Sequence, residues 1–203
     1  AEVLAIPRKR IFTVGAGYRE DIFHARGRRP DIEPGLLYVG KLSFAKGLPW
    51  LLEAFERITT SHPRVRLHVA GSGSGPEADA IQEHMNRLAP AVVQHGHVGQ
   101  AELSELARGA TVCVLPSFYE GLPLVLVETL ACGCRLVATD LPGIRSELAP
   151  HLGNALTTVA LPRMRSVDQP HEADLPAFVA NLESALTQSL AAPALGDPAE
   201  TLG

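Results

Sequence analysis

The chain has 203 residues, 46% of them hydrophobic and 20% charged, with a formal net charge of −4. This profile excludes a chain disordered throughout and argues against a general nucleic-acid binder, whose phosphate contacts need a basic face. The length suits one domain around one buried core, and no run of about 18 apolar residues is present to form a membrane-spanning helix.

Residues 1–20 read as a linker or entry segment, and Ala1 to Arg10 is too polar for a signal-peptide core. The basic cluster Arg26-Gly27-Arg28-Arg29 reads either as a solvated loop or as a face for anionic lipid. From there short apolar runs alternate with helical patterns. Strands are expected at 36–40, 65–70, 91–94, 111–115 and 135–139. Helices are expected at 49–58, 77–88, 100–108, 124–132 and 175–190, with a loop over 160–173 and a flexible tail over 191–203. Strand-helix alternation with near-continuous apolar strands predicts an α/β domain over 21–190: a Rossmann-like parallel sheet with helices on both faces. Ligands of such sheets bind beyond the carboxyl ends of the strands, which directs attention to the loops at Gly40, Gly71, Gly96 and Pro116. Three cysteines (Cys113, Cys132 and Cys134) cannot all pair and read as small buried hydrophobes in a reducing cytoplasm.

The loop Gly40-Lys41-Leu42-Ser43-Phe44-Ala45-Lys46-Gly47 places two lysines between a buried strand and a helix, which suits a bound anion; two solvated lysines are the plainer reading. It is not a Walker loop, because no Gly-Lys-Ser/Thr closes it. Gly71-Ser72-Gly73-Ser74-Gly75-Pro76 fails the dinucleotide fingerprint at Pro76 and fails the Gly-x-Ser-x-Gly elbow at Gly73. It reads as a tight turn that lets backbone approach a ligand or a neighbouring loop. Glu120 and Glu128, separated by seven residues, are the strongest feature, since Glu128 interrupts the apolar run LVLVETLA, where a carboxylate is costly unless it is paired. Either Glu128 pairs internally, or both glutamates accept hydrogen bonds from hydroxyls of one extended ligand. A largely helical interval would set them roughly 10 Å apart. His95 and His97 flank Gly96 without a Cys, Asp or Glu at ligand spacing, so no metal site is expected there. Trp50, at helical spacing with Ala54, reads as part of a core stripe.

Taken in order, Gly-Lys-Leu-Ser-x-x-Lys-Gly, Ala-Gly-Ser-Gly, His-Gly-His-Val, Leu-Pro-Ser and Glu-x7-Glu-Thr-Leu-Ala-Cys-Gly resemble the C-terminal domain of GT-B glycosyltransferases. The resemblance is to the large retaining group often called glycosyltransferase family four, and it runs over residues 11–150 and more loosely to 190. It implies a nucleoside-diphosphate sugar as donor substrate, with Lys41, Lys46 and the amides of Leu124 and Val125 on the diphosphate. It further implies Glu120, Gly121 and Leu122 on the donor sugar, Glu128 on the ribose, and Gly96, His97 and Val98 near the base. Glu120, Lys46 and Lys41 are the residues expected to bear on the chemistry, and Glu120 is not assigned as a nucleophile. Charge on the leaving diphosphate would fall to lysines and helix amides. No Asp-x-Asp is present, so no metal and no other cofactor is expected.

The chain also departs from the group's pattern. Lys41 stands where Arg is usual, a point charge in place of a planar fork. Pro123 removes one N–H from the Glu-Gly-Phe-Gly equivalent. Pro142-Gly143-Ile144-Arg145-Ser146-Glu147 replaces Gly-Gly-x-x-Glu, which puts the role of Glu147 in doubt. The chain covers the C-terminal half alone, so the resemblance implies a missing N-terminal acceptor domain as its partner and little transfer without it. The expected setting is cytoplasmic, with peripheral contact to the inner membrane face left open for the intact protein. A GT-B nucleotide-sugar epimerase and a non-catalytic nucleotide-sugar-binding module are the competing readings; a dinucleotide oxidoreductase is disfavoured by the missing third glycine.

Overall fold

The computed structural model describes residues 17–28 and 35–195, so the expectations for the entry segment and the tail lie mostly outside the described residues. The elements in chain order are β1 (Gly35–Val39), α1 (Leu48–Ser61), β2 (Arg66–Ala70), α2 (Pro76–Arg87), β3 (Val92–Gly96), α3 (Gln100–Gly109), β4 (Val112–Leu115), α4 (Leu124–Ala131), β5 (Arg135–Thr139), α5 (Ala149–Leu152), β6 (Leu156–Val159) and α6 (Leu175–Ala191). The strands form one sheet in the order β3-β2-β1-β4-β5-β6, with every pairing parallel. This is the doubly wound order, and its switch point lies between β1 and β4.

The period of two along β1 explains the two cores. Leu36 and Tyr38 face α1, α2 and α6, whereas Leu37 faces α3, α4 and the segment around Ile144 and Leu152. All three are fully buried, at about 1.5–3 kcal/mol of transfer free energy for each large apolar side chain. Leu48, Leu51, Leu52, Phe55 and Ile58 form the buried stripe of α1 at helical spacing, with Pro49 in the first turn, where no N–H is needed. α4 is apolar nearly all round and buries Leu126, Val127, Leu130 and Ala131.

The expected strands and helices are present, with ends shifted by a few residues. Two elements were not anticipated. One is β6, whose LTTV sequence is only half-buried at the sheet edge. The other is a helical stretch from Ile144 through α5, which carries Pro150 in the first turn of α5 and ends at Gly153. The cysteines are free and buried, as expected. At Arg28 the reading of the cluster as solvated loop or lipid face is corrected, since its guanidinium donates to the carbonyls of Gly133 and of Ala110, the latter at 3.3 Å; Arg29 lies outside the described residues. Among the described residues, no helix is long and apolar enough to cross a membrane.

Candidate functional site

The carboxyl ends of β1, β2 and β4 each lead into a loop, and the three loops hold one another by main chain. The Gly40 and Leu42 amides donate to Ala70 O (3.0 Å) and Ser72 O (3.1 Å), and Gly71 N donates to Gly96 O at 2.7 Å. Phe118 N reaches across to Ala45 O at 2.9 Å, joining the β4–α4 loop to the β1–α1 loop. A Cβ on Gly71 would overlap the Gly40 carbonyl oxygen, and one on Gly73 would crowd Leu42 and Ala78. The glycine-rich turn therefore serves close approach between neighbouring loops.

On this frame Lys46 Nζ meets Glu120 Oε1 at 2.7 Å, two residues 74 positions apart in sequence. Their side chains are 31% and 15% exposed, so the pair lies at the surface of the crevice within reach of solvent. Lys41 does not join it. Lys41 is exposed, without an ion pair among the described residues, and lines a cavity of about 320 Å³ with Val39, Ala70, Gly71, His97 and Val98. The proposed base-loop residues His97 and Val98 thus belong to the same cavity as Lys41. Gly96 is not among its lining and instead supports Gly71 through its carbonyl. His95 turns to β2, where its Nε2 lies 2.9 Å from His68 Nδ1.

The segment from Gly121 to Pro123 is not helical, so only the last part of the interval between the two glutamates follows helical rise. Gly121 and Leu122 are exposed beside Glu120, and α4 starts at Leu124. Pro123 caps α4 without a side-chain bond, so the first amides of the helix, including those of Leu124 and Val125, have no intrahelical acceptor. Glu128 follows one turn on, and its carboxylate has no hydrogen-bond or ion-pair partner among the described residues. Partial burial pushes its carboxyl above the usual carboxylate range. Glu147 is exposed on the helical stretch that starts at Ile144 and accepts from Ser146 Oγ at 3.0 Å. No group of three or more potential metal ligands occurs among the described residues.

Sequence reasoning assigned no role to Tyr38, which is fully buried and donates its hydroxyl to Lys41 O at 2.7 Å. Burial, and then the charge of Glu120, raise this phenol above its ordinary range. The signal was available: a buried tyrosine needs a partner for its hydroxyl, and this one stands two residues before Gly40. Trp50 packs edge-on to Phe44 (5.9 Å) and Phe118 (4.9 Å), so the expected core stripe also braces both loops.

The family model described as Glycosyl transferases group 1 matches residues 33–161, which span all of these loops. The chain belongs to the group 1 glycosyl transferases. The glycogen synthase of Mycobacterium tuberculosis is 36% identical over 118 residues, 58% of this chain and 28% of that protein. The D-inositol 3-phosphate glycosyltransferase of Segniliparus rotundus is 32% identical over 128 residues, 61% of this chain and 28% of its own length. This group 1 chain therefore spans less than a third of either curated relative. Among solved structures, the C-terminal domain of a group 1 family glycosyl transferase from Francisella tularensis superposes with a TM-score of 0.60 at 17% identity. That match covers 86% of this chain and 94% of that domain. Sucrose-phosphate synthase from Thermosynechococcus elongatus gives 0.57 at 25% identity, over 86% and 46% of the two chains. The sheet order and these neighbours make the fold that of a GT-B C-terminal half.

Proposed function

We propose that this chain is the donor-binding half of a glycosyltransferase that uses a nucleoside-diphosphate sugar, and that it needs an N-terminal acceptor domain for transfer. The observation that carries the reading is the meeting of Lys46 with Glu120 across the switch point of the sheet, beside the cavity that holds Lys41, His97 and Val98. An extended ligand laid along this edge would place its base in the cavity and its ribose hydroxyls at Glu128. Its diphosphate would lie at Lys41, Lys46 and the Leu124 and Val125 amides, and its sugar at Glu120, Gly121 and Leu122. Cleavage of the bond between sugar and diphosphate leaves charge on the departing phosphate oxygens. Preorganised ammonium groups and helix amides stabilise that charge where it develops. We assign this role to protein groups, without a metal, and we assign a retaining outcome; chelator-insensitive transfer by the two-domain enzyme and the anomeric configuration of the product are the measurements for these two points.

The donor site itself is tested on the chain as it stands. Calorimetric titration with ADP, GDP, UDP, CDP and dTDP is expected to give binding with one of them. A ligand at 100 times its Kd should then stabilise the fold by about 2.7 kcal/mol. Lys46→Ala is expected to weaken that binding roughly tenfold to a hundredfold, since a hydrogen bond to a charged group is worth about 1.5–3 kcal/mol. Equal affinity in the variant, or silence across the panel in a folded sample, overturns the assignment and favours a module without nucleotide binding.

A further inference from the structure

Tyr38 lies beneath the β1–α1 loop of the crevice. It lies in the middle of β1, paired with Val69 of β2 on one side and Val114 of β4 on the other. Its ring is fully buried in the α1–α6 core. Its hydroxyl emerges under the β1–α1 loop and donates to the main-chain carbonyl of Lys41 at 2.7 Å. A Cβ on Gly40 would lie 3.0 Å from that hydroxyl, so the loop passes closely over it. Further along the same loop, Lys46 Nζ pairs with Glu120 Oε1 at 2.7 Å and Ala45 O accepts from Phe118 N at 2.9 Å, which joins the loop to the Glu120 side of the crevice. A buried hydroxyl on the Lys41 carbonyl fixes the main chain from which that side chain leaves, at the other end of the loop from the Lys46–Glu120 pair. A phenylalanine would fill the core equally well and leave that carbonyl unheld.

We propose that Tyr38 is a positioning residue, whose hydroxyl fixes the Lys41 end of the β1–α1 loop relative to Glu120 and so sets the span between the phosphate and sugar contacts. This rests on the donor-site reading. It acts through Lys41, whose charge is assigned to the diphosphate, so the loss on removing the hydroxyl is expected to fall on the diphosphate rather than on the nucleoside. One neutral hydrogen bond in such a place is worth about fivefold to tenfold in affinity.

The test is a double-mutant cycle on the full chain with Tyr38→Phe and Lys41→Ala. Binding of ADP, GDP, UDP, CDP and dTDP, each beside its parent nucleoside, is followed by calorimetry and by the fluorescence of Trp50, the single tryptophan. Tyr38→Phe keeps the ring, and its thermal transition confirms the fold. It is expected to bind the preferred nucleoside diphosphate about five to ten times more weakly and the nucleoside unchanged. In the Lys41→Ala background the same change is expected to have no further effect. A core role alone would weaken nucleoside and diphosphate alike, or persist without Lys41, and either result overturns the proposal. Failure of the wild-type chain to bind any of the diphosphates defeats the donor reading itself, and this inference with it; binding that Tyr38→Phe leaves intact defeats this inference alone.

Discussion

The two ends of the sheet use polar side chains in opposite ways. At the amino ends of β4 and β5, such groups finish on main-chain carbonyls. Arg28 reaches Gly133 and Ala110, Arg135 reaches Asn154 (2.9 Å) and Pro193 (2.6 Å), and the Cys134 thiol reaches Ala107 at 3.1 Å. At the carboxyl ends, Lys46 and Glu120 satisfy only each other, and Lys41 and Glu128 have no side-chain partner among the described residues. Apart from Arg28 Nε, which has no partner, the amino end directs these groups onto carbonyls of the fold, while at the carboxyl end Asp140 is paired with Arg145 but Lys41 and Glu128 are left to a ligand. The difference separates residues that hold the domain together from residues that serve binding.

That division applies to side chains and not to backbone, and Gly47 is where it should break most visibly. Gly47 caps α1 with φ 72, and a Cβ there would overlap the Pro116 carbonyl oxygen of the adjoining loop. Backbone strain and the clash add, so Gly47→Ala is expected to cost at least about 3 kcal/mol. Urea unfolding of the variant checks it. A stable variant would mean that the carboxyl-end loops are looser than their main-chain contacts imply.

Arg28→Ala should sharpen the comparison from the other end. It leaves the buried Gly133 carbonyl without its donor and the Ala110 carbonyl with only the Cys134 thiol at 3.7 Å, at an expected cost of about 2–3 kcal/mol. Arg28→Lys should not restore it, because one ammonium cannot span two acceptors as a guanidinium fork does. Nucleoside diphosphate affinity is expected to be unchanged in either variant while the chain is folded. A loss of affinity at constant fold would place Arg28 on the functional side.

Much of this arrangement could be read from residue patterns, and what could not has a common cause. β1, β4 and β5 announce themselves because strands buried on both faces are nearly continuous in apolar residues, β2 because Leu67 and Val69 alternate with Arg66 and His68, and α1 because Leu48, Leu51, Leu52, Phe55 and Ile58 recur at helical spacing. β6 gave no such signal, since an edge strand with two threonines and partial burial resembles a loop. The loop lysines and Glu120 could be named as candidates from their neighbours in sequence. The pairing of Lys46 with Glu120, and of Arg28 with Gly133, depends on contacts across 74 and 105 positions, which no local pattern contains. Arg28 looked like part of a charge run for the same reason. Tyr38 passed as one more core residue because its strand explains the ring and says nothing of the hydroxyl.

The smallest expected effect, at Glu128, is the most diagnostic, because it predicts opposite signs for stability and for binding. Glu128 carries a charge that the fold partly desolvates without offering a partner. Its folded pKa lies above its unfolded value, so the folded state holds the proton more tightly, and stability from this group falls as pH rises through that window. The cost is absent at pH below the unfolded carboxylate range and fully present at neutral pH. Glu128→Gln removes it, so the ligand-free variant should melt at or slightly above the wild-type temperature at pH 7, with the gap closing towards pH 4. The same change takes a carboxylate acceptor from the ribose hydroxyls and should weaken the preferred nucleoside diphosphate about tenfold. A 2′,3′-dideoxy analogue, which has no hydroxyl to offer, should bind both forms alike. A structural glutamate would give the reverse, with a lower melting temperature and unchanged affinity, and would move Glu128 to the side of the residues that hold the domain together.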